Sequence, residues 1–242
     1  MTWLVLLIAV WVTGWGLKHR GQPRSRVPAS QLALRYTFDA RQNWALCIAH
    51  SIANTKKDGG LSAYADPSAA LPTVEQGQAL RNSLLHIFGL RSSLNDAQIR
   101  STLNAQISRL WFRIDLDKLR PEDDPLAALA FACARVTFAV RAACLLGWLD
   151  EAAQWYVLLQ NAQRANDCFD SWHQFGTAWA RGRQQWTKAS RADSLGLAFS
   201  EADVQRWLTD PQHPWHCIPW QVPPLFAPLI HATRRSDCSD AI

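Results

Sequence analysis

The sequence lacks the short motifs that announce most enzymes. No Gly-x-Ser-x-Gly elbow and no recognisable catalytic cysteine signature is present, which argues against a serine or cysteine hydrolase. No glycine-rich loop precedes a Walker-type lysine, which argues against a nucleotide enzyme. Cys-x-x-Cys pairs are missing as well. The six cysteines, Cys47, Cys133, Cys144, Cys168, Cys217 and Cys238, are irregularly spaced, so they read as small hydrophobes of a reducing compartment and not as a disulfide framework. With 11 glycines and 12 prolines in 242 residues the chain is not generally disordered. Nor does it show alternating strand patterns or hairpin dipeptides, leaving an all-α fold as the expectation.

Acidic residues are absent before Asp39, and this locates the charge. The formal net charge is +5, but Lys18, Arg20, Arg24 and Arg26 supply four of those charges, leaving +1 for residues 31–242. A folded domain so nearly neutral has no phosphate-binding footprint, so nucleic acid is not an expected partner. Ahead of the basic cluster runs an uncharged stretch, residues 2–17, TWLVLLIAVWVTGWGL. As a helix it spans about 24 Å, slightly short of a hydrocarbon core of about 30 Å, a gap that snorkelling basic residues can close. Positive charge on its carboxyl side alone predicts a single-pass membrane anchor with the domain in the cytoplasm. The expected division is therefore an anchor helix at 1–17, a basic linker at 18–30, and a helical domain at 31–242 whose proline-rich segment from 211 runs extended.

Hydrophobic residues make up 48% of the chain, ample for one core. Periodicity predicts about six to eight helices. One region begins at Gln31, and a second covers VEQGQALRNSLLHIFGL. A third follows a cap at Ser93 or Asn95. Between the first two, KKDGGLSAYADPSAALP carries turn formers and is a candidate contact loop. Asp115, Asp117, Glu122, Asp123 and Asp124 lack the glycine and closing glutamate of a calcium loop and read as an acidic lead-in to a helix. The next stretch, residues 125–148, is apolar nearly all round, with Pro125 suited to a first turn and Gly147 to a carboxyl cap. Arg135 and Arg141 interrupt it before it reaches membrane-spanning length, so it is expected to be the central buried helix. Each arginine then needs a partner.

Residues 170–186, DSWHQFGTAWARGRQQW, place Trp172, Phe175, Trp179, Gly182 and Trp186 at helical spacing on one stripe. Ser171 with Gln174 forms a capping-box pattern. Glycine inside a helix costs roughly 1 kcal/mol relative to alanine, so Gly182 is expected to make room for a neighbouring backbone. His173, Arg181 and Arg183 fall off the stripe, toward solvent or a partner. The chain holds 13 tryptophans, ten of them beyond residue 30; they are either buried or shown to a partner.

Three weaker constellations remain. Arg135, Arg141, Glu151 or Asp150, and Arg183 could form an anion site or, equally, internal braces. His213, His216 and Cys217, with Cys168 or His173, offer metal-ligand chemistry at a spacing that matches no standard zinc module, so proline-rich packing is preferred there and no metal is expected. Cys168 and His173 flank a helix start where a thiolate could be stabilised. No cofactor is implied.

Arg135, Arg141, the Gly147-Trp148 pair, Glu151 with Ala152, and Ser171, Trp172, Gly182, Arg183 and Trp186 together resemble a bacterial family, domain-of-unknown-function family 1266. LRNSLLHIFGL extends the likeness to about residues 40–190, with one departure: Ala132 stands where family members often carry an aspartate. The resemblance implies an all-helical domain without established enzymatic activity, and an association with interbacterial toxin systems as an immunity or accessory protein. The expectation is a non-catalytic module that binds another protein, such as a toxin. The alternative is an enzyme of unknown reaction with an arginine-lined anion pocket.

Overall fold

The computed structural model describes residues 39–53, 74–189, 200–211 and 213–221. The anchor at 2–17, the linker at 18–30, the candidate contact loop and Cys238 lie outside these. Among the described residues there are nine α-helices, two 3-10 turns and no strand, an all-α fold as expected.

The centre is α5, Pro125–Leu145, which is preceded by α1 (Ala40–Cys47), α2 (His50–Ala53), α3 (Val74–Ile87) and α4 (Asp96–Leu110). Asp124 caps α5 by accepting from the amides of Leu126 and Ala127, and Pro125 sits in the first turn, where its missing N–H is not needed. At the other end Gly147 takes φ 69°. Its amide donates to Cys144 and that of Trp148 to Ala143, a Schellman closure that needs a left-handed residue at that point. Every residue from Ala130 to Ala143 is buried. Among the described residues α5 is also the one helix long and apolar enough to cross a membrane, but most of it is enclosed by the fold.

Two helices clasp it. The first, α6 (Glu151–Cys168), is capped by Asp150, which accepts from the Ala153 amide. Its Asn161 side-chain amide donates to the Cys133 carbonyl at 2.8 Å and the Thr137 hydroxyl at 2.9 Å, tying the two helices by a buried polar link. The second, α7 (Trp172–Lys188), carries the indole stripe, and Trp172, Phe175, Trp179, Gly182 and Trp186 are all buried. Ser171 caps it by accepting from the Gln174 amide, as expected. The reciprocal half of the box is displaced by one residue: the Gln174 side chain accepts from the Asp170 amide at 2.6 Å.

Asn95, not Ser93, caps α4, in a capping box with Gln98. α4 lies alongside α6 and runs parallel to it. Asn104 reaches the Trp148 carbonyl near one end, and Arg164 reaches the Phe112 carbonyl near the other. Beyond α7 come α8 (Glu201–Thr209) and the single turn α9 (Pro214–Cys217). The stretch from 211, expected to be extended, thus contains a helical turn, because Pro214 starts it and the His213 ring accepts from the Trp215 amide. This turn closes the ends of the fold together: the Trp215 indole N–H donates to the Cys47 carbonyl of α1 at 2.8 Å.

None of the ten tryptophans beyond residue 30 is exposed. Trp44, Trp111, Trp148, Trp172, Trp179, Trp186 and Trp215 are buried, and Trp155, Trp207 and Trp220 are half-buried. Trp172 stacks on Trp215 at 5.5 Å and meets Trp220 edge-on at 4.7 Å, with Trp44 5.3 Å away. The indoles hold helices together, and display to a partner is not their use.

Candidate functional site

The two arginines of α5 are six residues apart, so they leave the helix toward different neighbours. Arg135 turns toward α7 and the 3-10 turn Leu116–Lys118, and its Nε lies 2.6 Å from Asp115 Oδ2 with both side chains 4% exposed. Its guanidinium also lies 4.9 Å from the Trp186 ring centroid and 5.5 Å from that of Phe131. Lys118 approaches Trp186 at 5.9 Å. Asp115 adopts φ 67°, the one left-handed non-glycine among the described residues. Such a conformation costs of order 1–3 kcal/mol and persists only when its surroundings enforce it; aspartate tolerates it better than most residues. Burial pushes the Asp115 carboxyl above its ordinary range while Arg135, then Lys118, pull it back.

Beside this pair is a recess of about 10 Å³ lined by Asp115, Leu119, Asp123, Phe131, Gln185 and Trp186. That is space for about one water. Asp115→Asn tests the pair cleanly, since asparagine also accepts a left-handed backbone. The variant is expected to lose about 2 kcal/mol in urea denaturation, less than the roughly 3–5 kcal/mol of outright removal, because the amide oxygen still accepts. An unchanged midpoint would show that the pair does not stabilise the fold.

Arg141 turns toward α6 instead, donating to the Gln154 side-chain oxygen at 3.0 Å in the interior. Glu151 is exposed at the start of α6 and accepts from the Trp155 indole at 3.2 Å. Arg141, Glu151 and Asp150 all act on the Cys144 thiol, so these three groups share the junction of α5 and α6 while Arg135 belongs to the opposite junction with α7. Arg183, expected off the buried stripe, is 6% exposed. It lies two turns beyond Gly176, on the side of α7 that meets Val204 of α8. His173 and Arg181 are exposed as expected, and Arg181 pairs with Glu201 of α8 at 2.9 Å.

Gly182 has the role its position suggests. A Cβ built there would lie 2.0 Å from the Ala127 carbonyl oxygen and 2.9 Å from Phe131 Cβ. Gly176, which the spacing argument passes over, faces Val204 and Trp215 in the same way, at 2.6 and 2.8 Å. Both glycines let α7 approach a neighbour; the indole stripe marks Gly182 and leaves Gly176 unmarked.

The residues weighed as metal ligands separate. His213 packs into the interior, stacked on Trp207 at 5.4 Å and edge-on to His50 at 4.0 Å between ring centroids. His216 is exposed and bonded to the Leu208 carbonyl at 2.7 Å, and Cys217 donates to the Pro211 carbonyl. Among the described residues no group of three or more histidine, cysteine or acidic side chains could hold a metal ion. Burial drives His213 down to about 3 and His50 well below the ordinary histidine range, with His213 adding to the effect on His50. This pair joins residues 163 positions apart, and no local spacing could have revealed it.

What these contacts define, among the described residues, is an all-helical domain in which Arg135 with Asp115, Arg141 with Gln154, and His50 with His213 are folded inward between the helices. A family described as "Protein of unknown function (DUF1266)" has a model that matches residues 32–220, most of the chain, and the chain belongs to that family. The match reaches past the resembling motifs at 40–190 and takes in Trp215 and Trp220. No curated protein and no solved structure matches the chain.

Proposed function

We propose that the chain is a non-catalytic protein-binding module, held at the bacterial inner membrane by residues 2–17 with its domain in the cytoplasm, acting as an immunity or accessory protein toward a toxin. The observation that carries the reading is the engagement of the candidate site by the fold itself. Arg135 is taken up by Asp115 and two aromatic rings, Arg141 by Gln154, and the adjoining recess has room for about one water. Small-molecule sites are typically clefts of roughly 300–1,000 Å³. The uncharged stretch at 2–17 followed by four basic residues supports the anchor and its orientation.

Affinity purification of the full chain from native membranes is expected to recover a second protein in stoichiometric amount, and deletion of residues 2–17 is expected to release the domain from the membrane pellet. Recovery of the chain alone would sink the binding reading, and retention of the deleted form in the pellet would sink the anchor.

A further inference from the structure

With the indoles turned inward, the exposed hydrophobic side chains fall elsewhere. Leu110 and Phe112 are 42% and 50% exposed, and they stand in a five-residue run at the end of α4, Arg109-Leu110-Trp111-Phe112-Arg113. The run is held firmly from beneath. Trp111 is buried, the Arg164 guanidinium lies 4.9 Å from its ring centroid, and the same guanidinium donates to the Phe112 carbonyl at 3.1 Å and to Asn161 Oδ1 at 2.7 Å. Trp111 also meets the Phe112 ring edge-on at 6.2 Å. Phe112 is therefore presented on a 3-10 turn, Trp111–Arg113, whose backbone is pinned to α6.

The charge along the run itself is of one sign, the exposed Asp117 lying beyond it on the neighbouring 3-10 turn. Arg109 and Arg113 are exposed on either side of the apolar pair, and no acidic residue occurs from Ala97 to Ile114. The next acid, Asp115, is buried against Arg135. A rigid aromatic ring flanked by guanidinium groups is the composition of an interface hot spot, and arginine forks match carboxylates two bonds at a time.

We infer that this tip of α4, Arg109, Leu110, Phe112 and Arg113, is the docking surface for a protein partner that offers carboxylates around an apolar pocket. The inference rests on the protein-binding reading above and adds where the partner sits and what its surface is made of. A protein fits better than a bilayer because one phenylalanine and one leucine bury little area for stable membrane attachment, whereas fixed guanidinium groups about a single ring favour a shaped, acidic recess.

A photoreactive phenylalanine analogue placed at position 112 of the full chain, in native membranes, tests this against the same analogue at Gln184, exposed on α7. The expected result is a protein adduct at 112 and not at 184. Its cross-linked segment should be rich in Asp and Glu, with a yield at least tenfold lower in R109E/R113E and recovered largely in R109K/R113K. Because these side chains lie on the surface, melting temperature should be unchanged. If the wild type co-purifies a stoichiometric protein that R109E/R113E retains in full, the docking surface is wrong and the binding reading stands. If no protein co-purifies with the wild type, the binding reading itself fails. Lipid adducts at 112 in place of protein would overturn the choice of partner in favour of the bilayer.

Discussion

Replacing Gly182 with alanine is expected to lower the melting temperature by roughly 10 °C, corresponding to a loss of at least about 3 kcal/mol. The methyl group would lie 2.0 Å from the Ala127 carbonyl oxygen and 2.7 Å from its carbonyl carbon. Both are backbone atoms near the start of α5, so no side chain can swing away to accommodate them. The only relief is separation of α5 from α7 along the indole stripe, which opens gaps around Phe131, Trp179 and Trp186, whose ring centroids now lie 5.7 to 6.5 Å apart. Helix propensity acts the other way by about 1 kcal/mol, too little to decide the sign. Gly77 in α3 isolates that smaller term, because a Cβ there meets nothing within 4 Å. Gly77→Ala is expected to stabilise by up to about 1 kcal/mol. Calorimetry on the two variants should show shifts of opposite sign, and a Gly182→Ala protein as stable as wild type would contradict the close approach of α5 and α7.

The second large effect is acid lability from the His50–His213 contact. Both rings are enclosed, and His213 is held below its ordinary range, at about 3, chiefly by burial, with Asp210 opposing. His50 is lowered by burial and then by His213. In the unfolded chain each imidazole takes up a proton near pH 6.5. Below that pH the unfolded state holds more protons than the native state, so the stabilisation is full above about 6.5 and is lost as pH falls toward the folded values. Two such groups give a slope of roughly 2 kcal/mol per pH unit near pH 6, rising toward roughly 3 as pH falls to 5. There is a structural reason for the native state to resist charge: His213 Nδ1 accepts from the Trp215 amide at 3.2 Å, and protonating that nitrogen ends the cap on α9. Urea midpoints across this range should steepen accordingly. His213→Asn, which keeps an acceptor for the cap, should remove about half of the slope. A wild type whose stability is flat from pH 7 to 5 would show that the two rings do not resist protonation.

Legibility in the sequence tracked the range of the interaction. Helix starts at Asp124 and Ser171 are local hydrogen-bond patterns and could be read directly, as could the left-handed Gly147 and the stripe with Gly182 on it, while Asn95 could be narrowed to one of two residues. The buried α5 was legible because its apolar residues leave no polar face. Arg183 was misplaced because spacing along α7 marks one stripe, while α7 is in fact packed on two sides, by α5 and by α8. The partner of Arg135 was foreseeable only as a need: an arginine in an apolar helix requires a carboxylate, but nothing nearby in sequence singles out Asp115 from Asp117 until the left-handed turn directs it inward. His50 with His213 depends on an early and a late helix of the described fold meeting, and Gly176 against Trp215 on α9 folding back over α7; neither carries a short-range trace.

That meeting of early and late helices bears on how the protein is made. The bond from Trp215 to the Cys47 carbonyl joins residues 168 positions apart, and Trp44 packs against Trp172 and Trp220. While the ribosome is still adding residues, α1 therefore lacks the groups that cover it, and α5, already complete, is a 21-residue apolar segment without its final enclosure. A nascent chain in that state carries a helix long and apolar enough to cross a bilayer before the rest of the domain can enclose it. Arg135, at the midpoint of that helix, opposes its insertion, since an arginine costs about 2.5–3.5 kcal/mol at the middle of a bilayer, so a residue that braces the finished domain also disfavours the wrong fate for the growing one.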